Sequence, residues 1–153
     1  MIRLERDPAW WTAVAAHPAV APMLGGLASP EAIGALAGRA DILPLAAEHG
    51  GFLFVRADAL GFTCELHTLF TPEGWGREAL TAGVQALGAL WTCGYQLVTT
   101  FEAKGNPRSR PPRTFGFSQA GDWRETPFGV LRLWTLAKAA WEASPARRLK
   151  CLQ

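Results

Sequence analysis

The chain has 153 residues, 49% of them hydrophobic and 18% charged, a profile that fits one globular domain with one sizeable core and excludes a disordered chain. Its net charge of +2 is too small to draw the whole chain to nucleic acid or to an anionic membrane. Cys64, Cys93 and Cys151 are odd in number and lack C-x-x-C spacing, which argues against a disulfide framework or a zinc site. No leader pattern and no apolar run of about 18 residues is visible, so a reducing cytoplasm is the expected compartment.

In chain order, Ile2 to Glu5 alternates as a short first strand. Asp7-Pro8 then supplies an N-cap followed by proline at the first helical position, predicting a helix over Ala9 to Ala16. Pro18, Pro22 and Gly25-Gly26 make an irregular connection. Ser29-Pro30-Glu31 repeats the start signal for a helix to about Ala37, where Gly38 is placed to end it. Asp41 to Ala47 reads as a strand whose Pro44 implies an edge position or a bulge. Gly50-Gly51 reads as a turn into the strand Phe52 to Arg56, and Asp58 to Gly61 as a turn into Phe62 to Phe70. Short turns between consecutive strands predict an antiparallel meander.

Gly76 to Thr92 carries apolar residues at Ala79, Leu80, Val84, Leu87, Leu90 and Trp91, the period of an amphipathic helix, and Gly94 follows its end. Tyr95 to Phe101 is then a strand reached through a crossover helix, hence parallel to Phe62–Phe70. Asn106-Pro107 can cap one helical turn that Pro111-Pro112 stops early. Phe115 to Trp123 and Gly129 to Leu136 form a final hairpin, and Ala137 to Ala143 a last helix that Pro145 ends. The sum is a mixed α/β sheet, β-α-α-β-β-β-α-β-(α)-β-β, with one βαβ crossover and no internal repeat.

The crossover carries the functional signal. A strand that enters a long helix through Pro72-Glu-Gly-Trp-Gly76 brings several unpaired amides and the positive end of a helix dipole to one point, a receptor for phosphate or pyrophosphate. Gly74-Trp-Gly76-Arg-Glu-Ala79 also matches the dinucleotide fingerprint G-x-G-x-x-A, with Glu102 at the end of the next strand. Topology argues against that match, because a dinucleotide fold carries its fingerprint on the first strand and stacks further βαβ units beside it.

From Asp41 to about Trp141 the chain resembles the GNAT (GCN5-related N-acetyltransferase) acyltransferases. Four features carry the resemblance: the strand Glu65 to Glu73 ending in Pro-Glu; Gly76-Arg77 opening the long helix; Asn106 just past the following strand; and Thr114-Phe-Gly116-Phe117 before the last hairpin. The Glu-x-His strand, the Pro-Glu-Gly-Trp-Gly-Arg turn and the Asn-x-x-Ser-Arg segment are similar to small GNAT-like proteins of phages and prophages. The resemblance implies a single acyltransferase domain over 1–153 that takes acetyl-CoA. It implies that Trp75, Gly76, Arg77, Glu78 and Ala79 hold the pyrophosphate, with Arg110 beside them. The amides of Leu69 and Thr71 pair with the pantetheine arm, and Phe70 packs in the core beside it. Asn106 lies near that arm or the sulfur, against the alternative of a plain helix cap.

The chain departs from the family's phosphate turn at Trp75, Glu78 and Leu80. A carboxylate at Glu78 would repel phosphates if it pointed at them. The family's general-acid tyrosine is Pro112 here, and Tyr95, the one tyrosine, is on the wrong strand to replace it. For chemistry, strand periodicity puts Glu65 and His67 on one face, a carboxylate beside an imidazole that can serve as general base. Thr99 or Thr100 faces the crevice. Cys64 and Cys93 read as structural.

The leading expectation is an acetyl-CoA-dependent N-acyltransferase acting on an amine, with Glu65, His67 and Asn106 as catalytic residues. The alternative is a protein of the same fold that has lost turnover and binds a macromolecule. Trp10-Trp11, Trp75 and Trp123, which fall near element ends and read as exposed or groove-lining, and Arg108, Arg110 and Arg113 would be its anchors, and tryptophan-rich surfaces also fit a homodimer. Basic residues cluster at Lys104 to Arg113 and at Arg147 to Lys150, and the first of these segments raises nucleic acid as a weak third partner; no membrane partner is expected.

Overall fold

The computed structural model describes residues 1–24 and 28–152, with side chains as far as Arg148. Gly25-Gly26 and the side chains of Lys150 and Cys151 therefore lie outside the described residues. Strands β1 (Arg3–Leu4), β2 (Ile42–Ala46), β3 (Gly50–Arg56), β4 (Thr63–Phe70), β5 (Leu97–Ala103), β6 (Ser118–Gln119), β7 (Arg124–Thr126) and β8 (Gly129–Ala137) form one sheet in the order β1-β2-β3-β4-β5-β8-β6, with β7 also on β8. Among the described residues only β4 and β5 pair in parallel.

Two helices cover one face. In α1 (Pro8–Ala16) the Asp7 carboxylate accepts from the Ala9 amide, and in α2 (Pro30–Ala37) the Ser29 hydroxyl accepts from the Ala32 amide, as the cap signals predict. They approach closely at Gly34, where a Cβ would lie 2.0 Å from the Thr12 hydroxyl oxygen. Trp11, Val14, Ile33, Leu53 and Leu69 form the core beneath them. Trp11 is fully buried, its indole donating to the Glu5 carbonyl at 2.8 Å, so the expectation of an exposed Trp10-Trp11 surface fails at Trp11.

The opposite face is covered by α3 (Arg77–Thr92), whose Ala82, Val84, Ala86, Leu87 and Leu90 pack with Phe52, Phe54, Cys64 and Val98. Burial pushes the Cys64 thiol up to about 12, with the nearby Asp58 charge adding to the shift; this is a core cysteine.

Three local expectations are corrected. Gly50 and Gly51 are not the turn; Glu48 and His49 bend the chain and both glycines lie in β3. They are glycine because neighbouring backbone comes too near: a Cβ on Gly51 would sit 2.3 Å from the Leu45 carbonyl and 2.9 Å from the Trp11 ring. Pro44 lies inside the sheet between β1 and β3. Its carbonyl accepts from Glu5, just past the two-residue β1, so its missing N–H falls on the side where pairing is already ending. Pro145 does not end a helix. The last α-helix, α4 (Lys138–Glu142), closes at Ala143, and Pro145 opens a 3-10 segment to Leu152.

The final hairpin forms with an interruption: β6 and β7 flank the same side of β8, and residues 120–123 stand opposite only Arg132 and Leu133. Between β5 and β6 there is no α-helix, only two 3-10 turns, Pro107–Ser109 and Arg113–Phe115, as the Pro111-Pro112 pair dictates. Among the described residues no helix is long and apolar enough to cross a membrane.

Candidate active site

The parallel strands pair only at Thr63↔Leu97, Cys64↔Val98 and Glu65↔Thr99, then part. The next carbonyl in line, that of Leu66, accepts from the Thr100 hydroxyl at 3.0 Å instead of from a main-chain amide. Of the two threonines, Thr100 is thus the one at the crevice. A cavity of ≈ 1100 Å³ runs through the gap, lined by Glu65 to Phe70 on β4, by Trp75, Gly76, Ala79 and Gly83 at the start of α3, and by residues 106–112.

Strand alternation decides which amides face the gap. The Phe62 and Leu66 carbonyls point toward β5, whereas the Thr71 amide donates to the His49 carbonyl next to β3. Even-numbered residues of β4 therefore turn their N–H groups to the opening, and odd-numbered ones to β3. This corrects the expectation for Leu69 and Thr71: Thr68 and Phe70 carry the free amides. The Phe70 side chain packs in the core, 5.3 Å from the Phe52 ring centroid, and its carbonyl accepts from the Trp75 indole at 2.9 Å.

At the turn, Pro72–Gly74 forms one 3-10 turn and Gly76 enters α3 at φ 87°, a conformation open to glycine and strained for other residues. No side chain caps α3, so the amides of its first turn are bare. Glu78 is the decisive residue. Its carboxylate does not fill the turn; it accepts from the His49 amide at 2.8 Å and meets the His49 ring nitrogen Nδ1 at 2.8 Å. Burial opposes its charge, but the His49 ring and amide outweigh that and hold Glu78 below its ordinary value, while the same hydrogen bond raises His49. The carboxylate of Glu78 is thus turned away from the turn and toward a partner 29 residues earlier, which lessens the repulsion expected of it.

On the α1/α2 face, Glu65 Oε1 lies 3.0 Å from His67 Nε2, both about two-fifths exposed. The hydrogen bond from His67 lowers the Glu65 pKa against the opposing effect of burial. An ionised Glu65 accepting from Nε2–H selects the tautomer whose Nδ1 carries the open lone pair.

No family model and no curated protein matches the sequence. Solved structures do. Spermidine N-acetyltransferase from Vibrio cholerae in complex with CoA and spermine superposes with a TM-score of 0.72 at 15% identity, over 93% of this chain and 97% of that one. The aminoglycoside acetyltransferase AAC(6')-Ib with coenzyme A gives 0.69 at 16%, over 94% and 97%. YncA from Salmonella typhimurium with its cofactor acetyl-CoA gives 0.71 at 18%, over 90% and 92%. The chain has the GNAT fold.

On this GNAT fold the remaining candidates separate. Gly76, Ala79, Asn106 and Arg110 line the cavity with Trp75, whereas Thr71, Arg77 and Glu78 do not. Asn106 does cap: its side-chain oxygen accepts from the Arg108 amide at 3.1 Å, which leaves its amino group for the cavity. Arg108 lies over the Trp75 ring, 3.2 Å from its centroid, and so bridges the two sides of the gap. Glu102 is no ribose ligand. It is buried and accepts from the Arg132 guanidinium and from the Trp134 indole, each at 2.8 Å. Ser109 accepts from the Ala103 amide at 2.8 Å and ties the 104–113 segment to β5. Sequence reasoning missed Thr68, His49 and Ser109, and named Arg108 only as part of a basic cluster and as an interface anchor. The β4 period was a usable signal for Thr68 once β3 and β5 are assigned their sides; the others depend on contacts that no local pattern records.

Proposed function

We propose that the chain is an N-acyltransferase that takes acetyl-CoA as donor and transfers the acyl group directly to an amine. The parting of β4 and β5, with bare amides on β4 and at the start of α3 and the Glu65–His67 pair beside them, is the observation that carries the reading. The residues fit the donor. The α3 amides from Gly76 to Ala79 would hold its pyrophosphate, with Arg77 and Arg110 adding charge. Thr68 and Phe70 would bond its amide-bearing arm as a further strand does. Asn106 would present its amino group to the arm.

When bound, acetyl-CoA supplies a thioester carbonyl carbon on which the C–N bond forms as the C–S bond breaks. His67 Nδ1 takes the proton that the amine loses, and Glu65 holds the resulting imidazolium. Pro112 has no proton to give at the position of the family's tyrosine. A leaving thiolate whose acid has a pKa of about 8.5 is stable enough at neutral pH to depart without one. A second reading, a protein of the same fold that binds without turnover, draws on Pro112. Burial of Trp11 takes away half of the Trp10-Trp11 patch on which it and the homodimer rested.

Calorimetric titration separates the two. Micromolar acetyl-CoA binding, with CoA-thiol release over a panel of amines, is the expected result. Absence of binding at millimolar acetyl-CoA would overturn the acyltransferase reading.

A further inference from the structure

The geometry points to a monoamine with an apolar body as the acceptor, and against polycations. This rests on the acyltransferase reading above and adds the substrate class. Direct pairing puts Phe101, Ala103 and Leu131 on the same sheet face as Glu65, because Thr99 pairs with Glu65 and residues alternate along β5 and across to β8. That face of the cavity is walled by Met23 and Leu24 after α1, by Ile33 of α2, and by Phe101, Phe128 and Leu131. Phe101 and Phe128 are 42% and 57% exposed, apolar surface that an apolar ligand would cover.

Charge restricts the ligand further. Among the described residues that line the cavity, Glu65 is the single carboxylate, and it is already engaged by His67. Arg108 and Arg110 line the cavity on its other side, beside Trp75 and Trp134. A ligand with one ammonium finds one carboxylate; a second or third ammonium would meet the hydrocarbon of the Glu65 wall, with nothing to offset its desolvation. Polyamines and aminoglycosides are therefore the wrong shape of charge for this cavity, although the same fold carries enzymes named for spermidine and aminoglycosides.

The test uses the full chain with 2-phenylethylamine, n-hexylamine, spermidine and kanamycin, following thiol release with acetyl-CoA and, separately, amine binding by calorimetry with and without CoA. The two monoamines should exceed spermidine and kanamycin in kcat/KM, and in affinity in the binding arm, by about tenfold or more, the scale at which an apolar pocket discriminates. Equal or stronger binding of spermidine or kanamycin, or no binding of either monoamine, overturns the inference. Acetyl-CoA binding in that same preparation would leave the donor site standing, so the two failures are distinguishable. Phe128→Glu, on an exposed turn, adds a second carboxylate and should move the ratio toward spermidine about tenfold; an unchanged ratio in a variant of unaltered Tm contradicts the placement.

Discussion

The two strands that part at Glu65 treat the opening differently. On β4, Thr68 and Phe70 turn unpaired amides toward it and the Glu65–His67 pair lies close by. At the top of β5 several polar groups are already answered: Ser109 takes the Ala103 amide, Thr100 crosses to Leu66, and Glu102 is held by Arg132 and Trp134. A polar group satisfied within the protein stabilises the strand that carries it, whereas an open one waits for water or a ligand. The β4 wall is therefore fitted to receive and the β5 wall to keep its shape, and substitutions on the two should split between affinity or turnover and stability.

The largest effect belongs to β4. His67→Ala should lower kcat by about 10²–10⁴-fold, the usual worth of a positioned base, with acetyl-CoA affinity and Tm nearly unchanged; steady-state kinetics beside calorimetry read this. On β5, Glu102→Ala strips Arg132 and Trp134 of their partner and should cost about 3 kcal/mol in urea unfolding with little change in acetyl-CoA binding. Loss of affinity at constant stability there would reverse the assignment of the walls.

Proline sharpens the comparison within β4 itself. Thr68→Pro removes an N–H that faces the opening and should weaken acetyl-CoA about 3–10-fold, the worth of one hydrogen bond, while the chain stays folded by circular dichroism. Leu69→Pro removes an N–H bonded to β3 and should unfold the sheet. Equal behaviour of the two would refute the alternation argument.

The smallest effect is on the His49–Glu78 clasp and appears as a pH dependence. The raised His49 pKa contributes stability fully below its ordinary 6.5 and loses it as pH rises through the folded value. The lowered Glu78 pKa contributes fully above its ordinary 4.5 and loses it as pH falls through the folded value. Thermal unfolding of Glu78→Gln against the parent chain should differ most between these two values and converge on either side.

Much of this is legible in the sequence. Cap signals at Asp7-Pro8 and Ser29-Pro30, the 3.6-residue period of α3 and the crossover into β5 depend on near neighbours, and the structure agrees with each. The Glu65–His67 pairing followed from the two-residue period of a strand. What was not legible depends on distant partners. Glu78 looked hostile to phosphate because nothing near it in sequence names His49. Gly50-Gly51 looked like a turn because a glycine needed for close backbone approach reads the same as one needed for bending. Trp11 looked exposed at a helix start, yet its indole is held by the Glu5 carbonyl just past β1 and its ring lies against Gly51 of β3. The directions of the β4 amides required knowing that β3 and β5 lie on opposite sides.

The account's central claim is that main-chain amides of β4 and of the α3 start receive the acyl donor. Amide ¹H–¹⁵N spectra of the labelled chain, recorded with and without saturating acetyl-CoA, test it most directly. Thr68, Phe70 and Gly76 to Ala79 should shift and become protected from exchange, with Leu69 and Thr71 little changed. Unaltered signals at Thr68, Phe70 and Gly76 while acetyl-CoA binds elsewhere would contradict it.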